Sequence, residues 1–166
     1  MKKLFLIRHS KSSRELELIN DLDRPLTERG YRDAVSMSAV LKSELEMPDL
    51  ILTSQSVRTW STALIFARTF NYESSKIKVD TRIYEASTKE LLSIINRIHE
   101  DFSNVLLFGH NPGLQKFISY LCGVDNGHFS TSAIAGVQFN NLSWDEISQS
   151  TGELFFLKEP KSNVYL

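Results

Sequence analysis

Val105-Leu106-Leu107-Phe108, which leads directly into Gly109-His110-Asn111-Pro112, is the stretch that decides the fold. An unbroken apolar run that stops abruptly at polar residues is typical of a central strand covered on both faces of its sheet. Leu4–Ile7 and Leu50–Thr53 repeat this pattern. The sequence therefore predicts several buried strands that lie side by side.

Helical patterns separate these strands. Helices are predicted from Thr27, as N-cap, to about Glu46; from near Ser56 to about Phe70; over Thr88–Glu100; and from Asn111, as N-cap, to Gly123. Further strands are predicted at Ile77–Asp80 and, as a hairpin or edge pair, at Ala135–Phe139 and Leu154–Leu157. This alternation predicts an α/β fold, a three-layer sandwich whose mainly parallel central sheet is flanked by helices.

Ser10–Asp23 is polar and reads as a loop, with Leu16, Leu18 and Ile19 as its few apolar anchors. The chain has 166 residues without a repeat or a linker, which predicts a single domain over residues 1–166.

The charge and the cysteine content limit which binding partners and which cellular compartment are expected. Lys and Arg number 19 and Asp and Glu 20, so the net charge of −1 argues against nucleic acid or an anionic membrane as partner. Cys122 is the single cysteine, which favours a reducing compartment. The apolar run Leu4–Ile7 is too short for a secretory signal, which needs about 7–15 apolar residues. We expect a cytoplasmic protein, with a monomer as the working expectation.

Arginine and histidine follow three of the predicted strands. Arg8 and His9 follow the first, Arg58 comes soon after the second, and His110 follows the strand at Val105–Phe108. Ligands of open α/β sheets bind beyond the carboxyl ends of the strands, so these side chains are expected at one edge. Arginine matches phosphate oxygens with a fork of donors, and a neutral imidazole can attack phosphorus. The group predicts a phosphoryl-transfer site that needs neither metal nor cofactor.

Several motifs, in this order, resemble the histidine phosphatase superfamily, which includes phosphoglycerate mutases and many phosphatases. They are Arg8-His9, the segment from Asp23 to Gly30, Thr53-Ser54 with Arg58 and Thr62-Ala63, Gly109-His110-Asn111-Pro112, and the stretch from Phe129 to Ala135. The chain is most similar to the short, SixA-type phosphohistidine phosphatases. The resemblance implies a phosphoglycerate mutase-like fold.

The resemblance also implies roles for individual residues. His9 corresponds to the nucleophile, Arg8 and Arg58 to phosphate clamps, and His110 to the second histidine on the phosphate. Glu85 is the candidate that protonates the leaving group, although a phosphohistidine substrate needs this acid less than an ester does. Lys11 and Asn111 are further candidates for substrate binding, although a surface lysine and an N-cap explain them adequately.

One residue departs from the family pattern, because Ser10 stands where the superfamily usually has glycine after Arg-His. Glycine permits close approach and unusual backbone dihedrals, so Ser10 leaves the path of this loop open.

The expected function is a phosphatase that forms a covalent intermediate on His9 and removes phosphate from phosphohistidine in proteins. The short stretches between motifs offer little material for a lid, which favours a side chain presented by a protein over an enclosed metabolite. The alternatives are a small-molecule phosphomonoesterase, a phosphoglycerate mutase-like enzyme, and a phosphate-binding or docking module without activity. A metal site is not expected, because the four histidines show no spacing typical of metal ligands.

Overall fold

The fold is described by a computed structural model that covers residues 1–15 and 19–161. The predicted anchors Leu16 and Leu18 lie outside the described residues, and Ile19 is exposed rather than anchored. The strands are β1 (Lys2–Arg8), β2 (Leu50–Thr53), β3 (Lys78–Val79), β4 (Asn104–Gly109), β5 (Ile134–Phe139) and β6 (Glu153–Lys158). The helices are α1 (Glu28–Lys42), α2 (Val57–Thr69), α3 (Thr88–Ile95) and α4 (Gly113–Cys122).

The six strands form one sheet in the order β3-β2-β4-β1-β5-β6. Strands β3, β2, β4 and β1 run parallel to one another, whereas β5 runs antiparallel to both β1 and β6. The mainly parallel sheet and the pairing of the last two strands are thus confirmed. The parallel arrangement brings the carboxyl ends of β1, β2 and β4 to one edge.

Two apolar layers cover the sheet and confirm the three-layer sandwich. Alternate residues of β1 face opposite sides, as expected for a strand. Leu4 and Leu6 pack with the helices α3 and α4, and Phe5 and Ile7 pack with α1 and α2. Because both faces are covered, the central strands are apolar at nearly every position.

Helices α1 and α3 are shorter than predicted. The chain leaves α3 at Asn96, whose side-chain amide donates to the carbonyls of Trp144 and Ile147 at 2.6 and 3.0 Å. Ile98 follows in a tighter turn and stays buried, which explains why the apolar pattern continues past the helix. Similarly, α1 ends at Lys42, and Leu45 is buried in the turn that follows.

The loop after β1 rests directly on helix α1. A Cβ on Gly30 would lie 2.1 Å from the carbonyl oxygen of Lys11, so only glycine permits this approach. The same carbonyl accepts a hydrogen bond from the backbone of Thr27 at 2.9 Å, and Thr27 is the predicted N-cap of the helix. This contact fixes the residues that follow His9. In the described part of the chain, none of the helices is long and apolar enough to cross a membrane.

Candidate active site

All seven residues predicted for the site line a single cleft of about 1350 Å³ at the carboxyl edge of the sheet. They are Arg8, His9, Lys11, Arg58, Glu85, His110 and Asn111. The rings of His9 and His110 lie 5.2 Å apart between centroids. The structure therefore brings together the ends of β1 and β4 and the start of α2, as the sequence predicts.

His9 is held in one tautomer by a backbone carbonyl. Its Nδ1 lies 2.8 Å from the oxygen of Ser10. A carbonyl oxygen can only accept, so Nδ1 carries the proton and Nε2 of the neutral ring keeps a free lone pair. Burial is the main cause that lowers the pKa of His9 to about 3, with smaller electrostatic contributions from His110, Arg58 and Arg8. The ring is thus neutral and nucleophilic at physiological pH.

The two arginines are held by neighbouring groups but retain unused donors. Arg8 donates from Nη1 to the carbonyl of Phe129 at 2.9 Å, and Arg58 donates from Nη2 to the carboxylate of Asp21 at 2.9 Å. The buried Nε atoms of both arginines have no hydrogen-bond partner among the described residues. Because buried donors are normally satisfied, these atoms are suited to an oxyanion.

His110 lies between a buried hydroxyl and a guanidinium. Its Nε2 is 2.8 Å from Oγ of Ser54, and its Nδ1 is 3.4 Å from Nη2 of Arg58. Burial and then the charge of Arg58 lower the pKa of His110 to about 4. The ring of Tyr84 packs edge-on against it at 5.3 Å. His110 is therefore a neutral ring whose position is fixed from several sides.

Ser10 is fully buried, and all three of its polar groups are engaged. Its N–H donates to Thr62 Oγ1 at 3.0 Å, its carbonyl accepts from His9, and its hydroxyl pairs with that of Ser132 at 2.6 Å. Ser132 has a φ of 62°, in the left-handed region. The serine in place of glycine is thus accommodated by a hydroxyl partner, which answers the question that the sequence left open about this loop.

Asn111 is not the N-cap of α4, contrary to the prediction. The cap position falls on Pro112, and the Asn111 amide donates instead to the carbonyl of Phe129 at 2.9 Å. Arg8 donates to this same carbonyl, so the Phe129 carbonyl holds both the Arg8 and the Asn111 side chains at the cleft. The Oδ1 atom of Asn111 is buried without a partner among the described residues. Lys11, by contrast, is an exposed side chain at the cleft.

Glu85 is exposed at the cleft and has a φ of 53°, an uncommon backbone conformation for a residue other than glycine. The loop that carries it is held against α4, because a Cβ on Gly113 would lie 2.6 Å from the carbonyl oxygen of Ala86. The unusual backbone of Glu85 is therefore supported by close packing of its neighbour.

Sequence reasoning missed Asp21 and Tyr84. The Asp21 carboxylate accepts from Tyr84 Oη at 2.6 Å, from Arg58 at 2.9 Å and from Arg24 at 2.8 Å. These contacts, the Tyr84 hydrogen bond first, hold the pKa of Asp21 well below its ordinary value. Asp21 lies two residues before the family-like segment that begins at Asp23, and this proximity is the signal in the sequence that could have pointed to it.

The cleft combines a neutral nucleophile, two arginines and a second neutral histidine. Such a set can bind a phosphoryl group, attack it and stabilise the charge on its oxygens. Among the described residues no group of three or more His, Cys, Asp or Glu side chains is arranged to hold a metal ion. The fold and the cleft thus define an α/β enzyme suited to phosphoryl groups.

Comparison with known proteins agrees with this class. The model of the histidine phosphatase superfamily (branch 1) matches residues 4–92. An uncharacterised protein of Mycobacterium tuberculosis is 30% identical over 139 residues, which cover 78% of this chain and 84% of the relative. The chain belongs to the histidine phosphatase superfamily and is a hydrolase of the phosphatase type.

Solved structures add the subtype. The SixA structure of Agrobacterium tumefaciens is 26% identical, with a TM-score of 0.81 over 96% of this chain and 98% of that one. A protein histidine phosphatase SixA in complex with tungstate shares the fold, with a TM-score of 0.77, 24% identity and coverage of 95% and 97%. The chain is therefore similar to the short SixA form along nearly its whole length.

Proposed function

We propose that this phosphatase works through a covalent intermediate on Nε2 of His9 and that its substrate is phosphohistidine in a protein. The observation that carries the first part is the 2.8 Å hydrogen bond from His9 Nδ1 to the carbonyl of Ser10. It leaves the Nε2 lone pair free, and the lowered pKa of His9 keeps that lone pair unprotonated.

The reaction takes place in two halves. Nε2 forms a bond to phosphorus while the bond from phosphorus to the leaving group breaks, and the leaving group takes up a proton. The phosphorylated ring still carries hydrogen on Nδ1, so the Ser10 carbonyl stabilises its positive charge. Water then attacks phosphorus, the P–N bond breaks, and inorganic phosphate leaves as His9 returns to its neutral form.

Arg8, Arg58 and His110 are assigned to the phosphoryl oxygens. The two arginines supply fixed positive charge, with their buried Nε atoms as further donors. His110 contacts an equatorial oxygen, where charge develops during transfer. Lys11 and Asn111 line the same cleft and are assigned to substrate binding.

The surroundings of the cleft favour a protein substrate with acidic groups near its phosphate. The cleft is lined by eight basic side chains and three acidic ones, although the net charge of the chain is −1. The basic residues are Arg8, Lys11, Arg14, Arg24, Arg29, Arg58, Lys89 and Lys116. Lys11, Arg14, Lys89 and Lys116 are exposed and have no carboxylate partner among the described residues. They would attract an anionic surface around the phosphorylated side chain.

Glu85 is assigned to protonation of an ester oxygen. It lies at the cleft, and no salt bridge engages it among the described residues. Imidazole leaves a phosphoramidate more readily than an alkoxide leaves an ester, so the acid contributes less to phosphohistidine hydrolysis. A cytoplasmic location stays a prediction that rests on the single cysteine and on the short apolar run at Leu4–Ile7.

The substrate assignment is tested by comparing kcat/KM for a phosphohistidine protein with that for small phosphate esters at two ionic strengths. We expect kcat/KM to be much higher for the phosphohistidine protein than for the esters. This difference should shrink as salt rises, because salt screens the charges of the exposed basic residues at the cleft. The double variant Lys89→Ala/Lys116→Ala should reduce only the protein reaction, with Lys76→Ala, outside the cleft, as the control. A preference for small esters would reassign the enzyme as a general phosphomonoesterase.

A further inference from the structure

The buried Ser54 hydroxyl beside His110 can either donate or accept a hydrogen bond, whereas the carbonyl that faces His9 Nδ1 can only accept. Ser54 and Thr59 are both fully buried, and their hydroxyl oxygens lie 2.6 Å apart. Ser54 Oγ also lies 2.8 Å from His110 Nε2. Because a hydroxyl both donates and accepts, Ser54 can satisfy Nε2 whether or not that nitrogen carries hydrogen.

The other ring nitrogen of His110 has a partner that only donates. Arg58 Nη2 lies 3.4 Å from Nδ1, and a guanidinium has no acceptor. In the unliganded site Nδ1 is therefore the acceptor, and Nε2 carries the hydrogen that points to Ser54. Since Nε2 faces the buried hydroxyl, Nδ1 is the nitrogen available to a ligand in the cleft.

A phosphoryl oxygen beside Nδ1 requires this nitrogen to donate a hydrogen bond rather than accept one. Phosphate oxygens at neutral pH accept hydrogen bonds, so the ring contributes only if Nδ1 carries a hydrogen. The ring could gain a second proton, but burial and the neighbouring Arg58, which lower the pKa of His110 in the protein without a ligand, both oppose a charged form. The other route keeps the ring neutral and moves the hydrogen from one nitrogen to the other.

We propose that the Ser54 hydroxyl allows His110 to change tautomer when an oxyanion binds, so that Nδ1 turns from acceptor into donor. In net terms, water gives one proton to Nδ1 and receives one from Nε2, and the ring stays neutral. Ser54 keeps its own hydrogen and rotates to donate it to Nε2, while Thr59 supplies the hydrogen bond that Ser54 Oγ then accepts. Ser54 is thus a positioning residue that acts through His110. This inference rests on the proposed role of His110 at the phosphate.

The Thr59 hydroxyl is free to take part in this exchange. Its Oγ1 lies within hydrogen-bond distance of the carbonyls of Ser54 and Ser56, at 3.2 and 3.0 Å, and of the Ser56 hydroxyl at 2.8 Å. Several acceptors surround one hydroxyl hydrogen, so Thr59 can redirect it toward Ser54 Oγ at little cost. The pair therefore forms a reversible hydroxyl chain behind His110.

The test is to record the protonation state of each His110 ring nitrogen by ¹⁵N NMR, with and without tungstate, at pH 7. The variant His110→Asn assigns the signals among the four histidines of the chain. We expect the Nε2–H form in the free protein and the Nδ1–H form, still neutral, with tungstate. An unchanged tautomer, or a doubly protonated ring with tungstate, would overturn the proposal.

Variants separate Ser54 from a general effect on folding. Ser54→Ala removes a hydrogen bond of about 0.5–1.5 kcal/mol, so kcat/KM should fall about threefold to tenfold and the tautomer change should become incomplete. Ser38→Ala, a buried serine between α1 and α2, is the matched control and should change neither. A complete tautomer change in Ser54→Ala with unaltered tungstate affinity would remove Ser54 from the role. Tungstate binding needs no turnover, so this result is independent of whether His9 is the nucleophile.

Discussion

The surroundings of His9 and those of His110 use different kinds of hydrogen-bond partner. His9 Nδ1 faces a backbone carbonyl, which accepts only, whereas His110 Nε2 faces the hydroxyl of Ser54, which can act in either sense. Both rings are buried, and both have lowered pKa values. A nucleophile needs one lone pair at one fixed place, whereas a phosphate contact must suit both the empty and the occupied site. The two environments match these two tasks.

Replacing His9 and replacing His110 with alanine should therefore lower kcat to different extents. We expect His9→Ala to lower kcat by about 10⁴-fold or more, because this variant lacks the ring on which the proposed intermediate forms. His110→Ala should lower kcat by about 10²–10³-fold, the usual cost of one donor to a developing oxyanion. Steady-state kinetics measure both, and tungstate binding with circular dichroism serves as the control for folding. Equal losses in the two variants would contradict the division of roles.

A third residue is expected to matter only for some substrates. Protonation of a leaving ester oxygen is the role assigned to Glu85. Glu85→Gln should slow small phosphate esters by about 10²-fold, the lower end for general acid catalysis, and leave phosphohistidine hydrolysis nearly unchanged. Glu15→Gln, at the same cleft, is the matched control. A uniform effect on both substrates would assign Glu85 to binding rather than to proton transfer.

The two histidines also make stability depend on pH. The pKa values of His9 and His110 lie at about 3 and 4, below the ordinary 6.5. Below pH 6.5 the unfolded chain takes up protons that the folded protein does not, so stability falls with pH in this window. The loss for each histidine rises toward about 1.4 kcal/mol per pH unit as the pH falls below 6.5.

Urea unfolding at pH 6.5 and pH 5 measures this loss. The variant His110→Asn should lose about 1.6 kcal/mol less than the unmodified protein between the two pH values. The carboxyl of Asp21 does not interfere, because its lowered pKa places its titration below this window. Equal losses in the two proteins would show that His110 is not buried in its neutral form.

The smallest effect on catalysis is expected at Ser10. Ser10→Ala leaves the backbone carbonyl that holds His9 but removes the partner of the buried Ser132 hydroxyl. We expect a loss of about 1–3 kcal/mol in the free energy of unfolding, and only a modest change in kcat. Ser12→Ala, in the same loop, is a control whose hydroxyl contacts Arg24 rather than Ser132. A large fall in kcat without loss of stability would mean that the Ser10 side chain acts directly on His9.

The sequence predicted the parts of the site that depend on strand order. Arg8, His9 and His110 directly follow apolar strands. Parallel strands place such residues at one edge of the sheet, whatever the conformation of the connecting loops. The contact between Asp21 and Arg58 could not be predicted in this way. It joins residues 37 apart through an irregular segment, whose path is set by tertiary contacts rather than by periodicity.

The ends of the helices also depend on tertiary contacts that the sequence pattern does not show. The apolar spacing up to Ile98 predicted a longer α3, because a buried side chain in a turn leaves the same pattern as one in a helix. The helix ends at Asn96, whose side chain donates to the carbonyls of Trp144 and Ile147, about 50 residues later in the chain. Local patterns do not contain such distant partners.

The most direct test of the central claim is to trap the phosphorylated enzyme. The protein is mixed with a phosphohistidine protein labelled with ³²P, quenched in alkali within the first turnover, digested and analysed by mass spectrometry. Phosphoramidate label on the peptide that contains His9, absent from His9→Ala and present in His128→Ala, is the predicted result. Turnover with no label on His9, or unchanged turnover in His9→Ala, would contradict it.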